Sequence, residues 1–492
     1  MTSRLAARWM TRADDARPSV HDRGGTTSWQ RMVEASGRVA GALLEGRRSL
    51  DGERVALLVA PGASFVACFF GVLRAGGVVV VLSPLHPPPE TRYFCDDARV
   101  RSVITSGDLG GSVAFLATER RILLADELLS HAGALAADDP QDDDDAVQLY
   151  TSGTTGKPKG AVITHANLAT QQELIGQAWG WREDDVLLHV LPLHHMHGLA
   201  IALLSAVGAG AATRFLPVFD AHATWDRMTD ATVLMAVPTI HAKLFAAFDA
   251  ADGPTRDAWA RAARGLRLVT SGSAALPVTV GERWRALTGA YPLERFGMTE
   301  IGVGTSNPLV PEGRRPGTVG LPLPTVSTRV VDDELWIAGP SVFARYHDKP
   351  EATRDAFVDD GGHRWFKTGD TVAHDADGYV RILGRTSVDI LKSGGYKLSA
   401  LEIEEALREH GAVAEVAVVG LPDETWGERV VACVVAREGR EDECAEDALR
   451  GFAKERLAPY KVPRRVVVMR DLPRNAMGKV VKPDLVRRLG RA

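Results

Sequence analysis

Tyr150-Thr151-Ser152-Gly153-Thr154-Thr155-Gly156-Lys157-Pro158-Lys159-Gly160 comes directly after an apolar run, Ala146-Val147-Gln148-Leu149-Tyr150. The run has the length and character of a short buried strand. The glycine-rich stretch cannot continue it: the eleven residues hold three glycines, two lysines and the hydroxyls of Thr151, Ser152, Thr154 and Thr155. Glycines let successive N–H groups line a concave anion site, and hydroxyls and ammonium groups add donors and charge. A phosphate group is the guest such a loop suits. It is not a Walker P-loop, because Lys157 is followed by Pro158 and not by Ser or Thr. A plain surface loop would account for the small residues but not for two lysines set among the glycines.

At 492 residues the chain exceeds one ordinary core and suggests more than one domain. Hydrophobic residues make up 45% and charged residues 25%, the profile of a globular protein. A net charge of -5 on this length gives no basic surface for nucleic acid. Cys68, Cys95, Cys433 and Cys444 form no C-x-x-C pair and read as thiols in a reducing compartment. No apolar run reaches the ~18 residues of a membrane span. Met1 to Arg17 carries Asp14 and Asp15 and lacks the apolar stretch of a secretory signal; a cytoplasmic location is expected, with an organellar transit peptide as the weaker alternative.

Upstream, Met32 to Leu44 is amphipathic at helical spacing, Arg54 to Val59 strand-like, Ala63 to Arg74 helical, and Gly77 to Leu82 a buried strand. This alternation predicts parallel strands with covering helices. The acidic run Asp138 to Asp145 is read as a solvated loop. A second alternating block runs from Asp185 to Tyr346. There Val186 to Leu191, Val233 to Val237 and Leu266 to Ser271 are strands, and Ile201 to Val207 an apolar helix. His194, His195 and His197 lie between, but one turn cannot present all three to one ion, and no metal site is assigned. Turns beyond the strands, such as Gly272-Ser273-Ala274-Ala275, should gather around a ligand with the loop at Thr151. From Thr386 onward the texture is that of one small α+β domain.

Further fragments join the first: Glu294-Arg295-Phe296-Gly297-Met298-Thr299-Glu300 after a strand, Phe366-Lys367-Thr368-Gly369-Asp370 before a turn, Gly384-Arg385, and Pro473-Arg474-Asn475-Ala476-Met477-Gly478-Lys479. In this order they resemble the acyl-adenylate-forming family, which includes acyl-CoA synthetases, over Trp29 to Arg488. The resemblance implies an α/β fold with a large N-terminal domain of parallel-rich sheets, 1–385, and a small mobile α+β C-terminal domain, 386–492. It implies that a carboxylate attacks the α-phosphate of ATP and that a thiol, of coenzyme A, then takes the acyl group. Both steps build negative charge, which positioned cations and backbone donors stabilise.

By the resemblance, Thr151, Ser152, Gly153, Thr154, Thr155, Gly156 and Lys159 cradle the phosphates, and Glu300 holds Mg²⁺ with Thr151. Asp370 accepts the ribose hydroxyls and Arg385 contacts ribose or phosphate. Gly272, Ser273, Ala274, Ala275 and the Glu294-to-Thr299 stretch, Phe296 above all, flank the adenine. Lys479 bridges the α-phosphate and the attacking carboxylate. Gly394, Gly395, Tyr396 and Trp426 line the path of coenzyme A. The small domain should pivot between Thr386 and Asp389, although Ser387 stands where the family usually has a charged residue.

The acid itself is signalled by Arg295. A buried cation without an anion is costly, and a second carboxylate on the substrate would supply the anion bidentately. Glu294 to Glu300, Thr305-Ser306-Asn307-Pro308, His197-Gly198-Leu199 and Gly384 to Ile390 resemble malonyl-CoA synthetases. Arg295, His197 and Ser271 would then hold the distal carboxylate of malonate or methylmalonate, with His197 counted among the catalytic residues beside Lys479, Glu300 and Thr151. The alternatives are a salt bridge from Arg295 to Glu294 or Glu300, a short- or medium-chain acyl-CoA synthetase, an enzyme loading a carrier protein in trans, and a nucleotide-binding protein without catalysis.

Overall fold

The computed structural model describes residues 2–132, 137–151, 158–474 and 480–490. It divides into two compact units: Met1–Ser327 with Ile337–Phe366, and Thr328–Trp336 with Lys367–Ala492. The second unit thus takes in Asp370 and Arg385 as well as the residues after Thr386.

Among the described residues, two sheets lie wholly within the first unit. Seven strands form one, in the order Arg345–Tyr346, Lys159–Thr164, Asp145–Thr151, Val78–Val81, Arg54–Leu58, Ser102–Thr105, Arg121–Leu124. The strands from Asp145–Thr151 to Arg121–Leu124 pair in parallel, as the β-α-β alternation predicts. Every residue of Val78–Val81 is buried, which is why that strand reads as an unbroken apolar run. The other sheet has nine strands, with Leu268–Ser271 between Val233–Ala236 and Leu293–Met298, all parallel. The helices run close to their expected spans: Trp29–Leu44 is capped by the Ser28 hydroxyl, and Ala63–Arg74 is buried along most of its length.

In the second unit, Gly427–Ala436 pairs antiparallel with Val413–Asp423 and in parallel with Arg465–Met469. The helices Ala400–Arg408 and Glu446–Lys454 bury Ile403, Leu407 and Leu449 against one face of this sheet. Leu485 of the helix Lys482–Leu489 packs with Val419, Val431 and Cys433 in a separate cluster.

The apolar helix expected over Ile201 to Val207 is present, π-helical over His197–Leu203 and α-helical over Leu204–Ala209. Two expectations are corrected. The acidic run is not simply solvated. Asp142 accepts from the backbone and Nε of Arg4 at 2.9 and 2.8 Å, and Asp145 pairs with Arg345 at 2.7 Å. Phe366 to Asp370 does not precede a turn; it lies within one long strand, His363–His374.

Candidate active site

Arg295 sits in the strand Leu293–Met298, paired with Ser306 across the antiparallel ladder, with Ser271 and Glu294 in register on the other side. The residue is only 3% exposed, and among the described residues Nε and Nη2 have no hydrogen-bond partner. No carboxylate of the described residues offsets its charge, so burial pulls the guanidinium pKa down to about 9. It remains a cation at neutral pH. The expected rival, an ion pair with Glu294 or Glu300, is not formed. Glu294 Oε1 instead accepts the Gly317 N–H at 3.0 Å, and the Tyr346 hydroxyl donates to Glu300 Oε1 at 2.9 Å.

Two more buried polar groups without partners accompany this cation. The Ser271 hydroxyl ends the strand Leu268–Ser271, and His197 Nε2 opens the π-helical turn. His197 Nδ1 lies 3.2 Å from the Ser273 hydroxyl. If that hydroxyl donates to Nδ1, Nε2 carries the proton and is a donor. Burial first, and then the Arg295 charge, hold the His197 imidazole well below its usual pKa. It is therefore neutral at physiological pH. Gly272 makes the arrangement feasible, since a Cβ there would lie 2.5 Å from Arg295 Cζ. The guanidinium and the neutral imidazole, near enough for the Arg295 charge to act on His197, form a donor pair suited to a carboxylate.

Of the glycine-rich stretch, Tyr150, Thr151 and Pro158 to Gly160 are among the described residues. Ser152, Gly153, Thr154, Thr155, Gly156 and Lys157 lie outside the described residues, as does Lys479. Thr151 and Lys159 are register partners between Asp145–Thr151 and Lys159–Thr164. Lys159 Nζ stands 4.6 Å above the Tyr346 ring, and the Tyr346 hydroxyl reaches the buried Glu300. Tyr346 thereby links the lysine to the carboxylate, a role no motif in the sequence signals. Among the described residues no group of three His, Cys, Asp or Glu is arranged to hold a metal ion. A buried carboxylate such as Glu300 still fits Mg²⁺, which keeps waters and takes further ligands from phosphates.

Phe296, Gly297, Met298 and Thr299 are half-buried along the end of the same strand, and Ser273, Ala274 and Ala275 are exposed beyond Gly272. Ser273 adopts a positive φ of 69°, a strain that tightens this turn.

In the second unit Asp370 and Arg385 face each other across an antiparallel pair, with Arg385 Nε 3.3 Å from Asp370 Oδ1. Arg385 also donates to the Thr368 carbonyl. Gly394 and Gly395 take positive φ values of 59° and 83° in an exposed turn, and the Gly394 N–H donates to the Trp426 carbonyl at 2.9 Å. Trp426 is covered on one face by Arg464, whose Cζ lies 3.3 Å from the ring centroid. Tyr396 stacks on Tyr460 at 4.3 Å.

Known proteins share this arrangement of sheets and motifs. Residues 7–347 match the AMP-binding enzyme family, and residues 402–479 match the AMP-binding enzyme C-terminal domain. The chain belongs to this family. It is 40% identical over 526 residues to the mitochondrial malonate–CoA ligase ACSF3 of Bos taurus, covering 96% of this chain and 88% of that protein. Among solved structures it resembles ATP-bound MatB from Rhodopseudomonas palustris, with 34% identity, a TM-score of 0.88 and 99% of each chain covered. A malonyl-CoA ligase ternary product complex with methylmalonyl-CoA and AMP bound shares 36% identity at a TM-score of 0.69, covering 96% of this chain and 100% of that one. Among the described residues no helix is long and apolar enough to cross a membrane.

Proposed function

We propose that the protein is an ATP-dependent ligase that activates malonate or methylmalonate and transfers it to coenzyme A. A carboxylate oxygen bonds to the α-phosphorus of ATP as the bond to the pyrophosphate breaks. The thiol sulfur then bonds to the acyl carbon, the acyl–oxygen bond breaks, and AMP leaves. The observation that carries this reading is the buried Arg295 cation, whose two unpartnered N–H groups accompany the unpartnered His197 Nε2 and Ser271 hydroxyl. A distal carboxylate would compensate the Arg295 charge and accept hydrogen bonds from the other two. A monocarboxylic acid would leave the guanidinium uncompensated, a cost of ~3–5 kcal/mol for a charge stripped of its partner. The names of the relatives, which are those of malonate–CoA ligases, support the same acid.

In this reading Ser152 to Gly156, with Lys159, hold the phosphates, while Glu300 and Thr151 hold Mg²⁺, which supplies charge stabilisation at the departing phosphates. Asp370 takes the ribose hydroxyls, Arg385 contacts the ribose or phosphate, and Gly272 to Ala275 flank the adenine with Phe296. Lys479 steadies the attacking carboxylate on the α-phosphate. Gly394, Gly395, Tyr396 and Trp426 border the pantetheine arm, and residues Thr386 to Asp389 form the pivot between the domains 1–385 and 386–492. Coenzyme A is the acceptor, with a carrier protein in trans as the competitor to exclude. The cytoplasm is the compartment proposed, although the bovine relative is named mitochondrial.

Arg295→Ala tests the acid assignment. It should lower kcat/KM for malonate by ~3 kcal/mol or more while leaving ATP affinity within about twofold. Full malonate activity in the variant would remove the dicarboxylate reading.

A further inference from the structure

Lys482 belongs to none of the motifs assigned to chemistry, yet its side chain is 10% exposed and carries two ionic contacts. It opens the helix Lys482–Leu489, and its Nζ lies 2.5 Å from Asp389 Oδ1 and 2.7 Å from Glu404 Oε1. One ammonium between a buried and a partly buried carboxylate leaves a net negative charge, which is tolerated only where further donors share it. Backbone donors do so here. The Arg385 N–H donates to Asp389 Oδ2 at 3.0 Å, and the Val418 N–H donates to Glu404 Oε1 at 2.8 Å. Burial works against the Lys482 charge, but Glu404 and Asp389 outweigh it and its pKa is raised.

The two carboxylates lead to different places. Glu404 faces inward: its backbone partner Val418 is in the small unit's core with Ile403 and Leu407. Asp389 leads to Arg385, whose guanidinium reaches Asp370 Oδ1 and the Thr368 carbonyl. The backbone around Asp389 is held tightly as well. Its N–H donates to the Arg385 carbonyl at 2.7 Å, and a Cβ on Gly384 would lie 2.3 Å from Asp389 Cβ. The polar chain therefore runs Lys482, Asp389, Arg385, Asp370.

We propose that Lys482 is a positioning residue for the nucleotide: its ammonium fixes the Asp389 carboxylate on the Arg385 backbone and thereby keeps the Arg385 guanidinium on Asp370. The inference rests on the reading of Asp370 and Arg385 as nucleotide contacts, and Lys482 itself touches no substrate. A purely structural role would make the two carboxylates equivalent, since each binds the lysine and each carries one backbone N–H. A positioning role makes only Asp389 matter to the nucleotide.

The test compares Asp389→Asn with Glu404→Gln in the full chain. Each removes one charge from around Lys482 and keeps an amide oxygen for the backbone donor. AMP binding by titration calorimetry, with neither acid nor thiol present, is read beside the thermal midpoint. Both variants should lose comparable thermal stability. Asp389→Asn should weaken AMP by about tenfold or more, the scale typical of supporting residues around a bound group, and Glu404→Gln by less than about twofold. Should Asp389→Asn fail to fold, Lys482→Gln breaks the same bond from its other end and carries the same expectation. Equal weakening by the two carboxylate variants, or unchanged AMP affinity in Asp389→Asn, would overturn the proposal while leaving the ligase reading intact. A wild-type chain that does not bind AMP would remove the nucleotide reading and this inference together. The choice of acid does not enter the assay.

Discussion

Arg295 carries an electrostatic cost in the substrate-free protein, one that the proposed dicarboxylate would relieve. A buried guanidinium without a carboxylate is less stable than an apolar side chain of similar length, and replacing such groups has stabilised other folds by ~1–4 kcal/mol. Arg295→Met should therefore raise the thermal midpoint of the substrate-free protein while abolishing malonate use. An unchanged or lowered midpoint would show that the guanidinium is already compensated. Gly272 guards the same residue. An added Cβ would lie 2.5 Å from Arg295 Cζ, so Gly272→Ala should raise the KM for malonate by about tenfold. Arg295, His197 and Ser271 can be singled out in the sequence because each lies in or beside a recognisable motif, Glu294 to Glu300, His197 to Leu199 and Gly272 to Ala275. Tyr346 and Lys482 cannot. Their partners Glu300, Asp389 and Glu404 lie 46 to 93 residues away, and no local pattern encodes such a pairing.

At the scale of the element, buried parallel strands and amphipathic helices announce themselves through apolar runs and helical spacing. Val78–Val81 and Ala63–Arg74 fall within, or coincide with, their expected spans. Where these patterns fall short, the causes are physical. Apolar periodicity does not separate a π-helical turn from an α-helix, so the geometry of His197–Leu203 is invisible to it. Nor does composition show that an acidic run has arginines waiting across the fold, as Asp142 and Asp145 do in Arg4 and Arg345. One junction behind the Arg295 strand is unusually intolerant. Gly302 has a φ of 68°, and a Cβ there would lie 1.5 Å from Gln171 Oε1, which accepts the Val303 N–H at 2.7 Å. Gly302→Ala combines backbone strain with displacement of that amide and should cost ~2 kcal/mol or more in urea denaturation. A loss under ~0.5 kcal/mol, the range of inconsequential surface changes, would show that the turn adapts freely.

Across the molecule, titration of the buried histidines sets a limit on acid stability. Burial lowers His165, His189 and His241 from 6.5 to about 4 each. A base whose folded pKa is depressed binds fewer protons folded than unfolded, so stability is intact above 6.5 and falls as pH drops towards the folded value. Each of the three should cost ~3 kcal/mol by about pH 4. Thermal midpoints measured from about pH 7 to about pH 4.5 should fall steadily, and a flat profile would contradict these burial environments. The acid is tested by ATP- and CoA-dependent pyrophosphate release with malonate, methylmalonate, acetate and octanoate side by side. Strong release with the two dicarboxylates and little with the others is the expected result. Preferential release with acetate or octanoate would contradict the role given to Arg295.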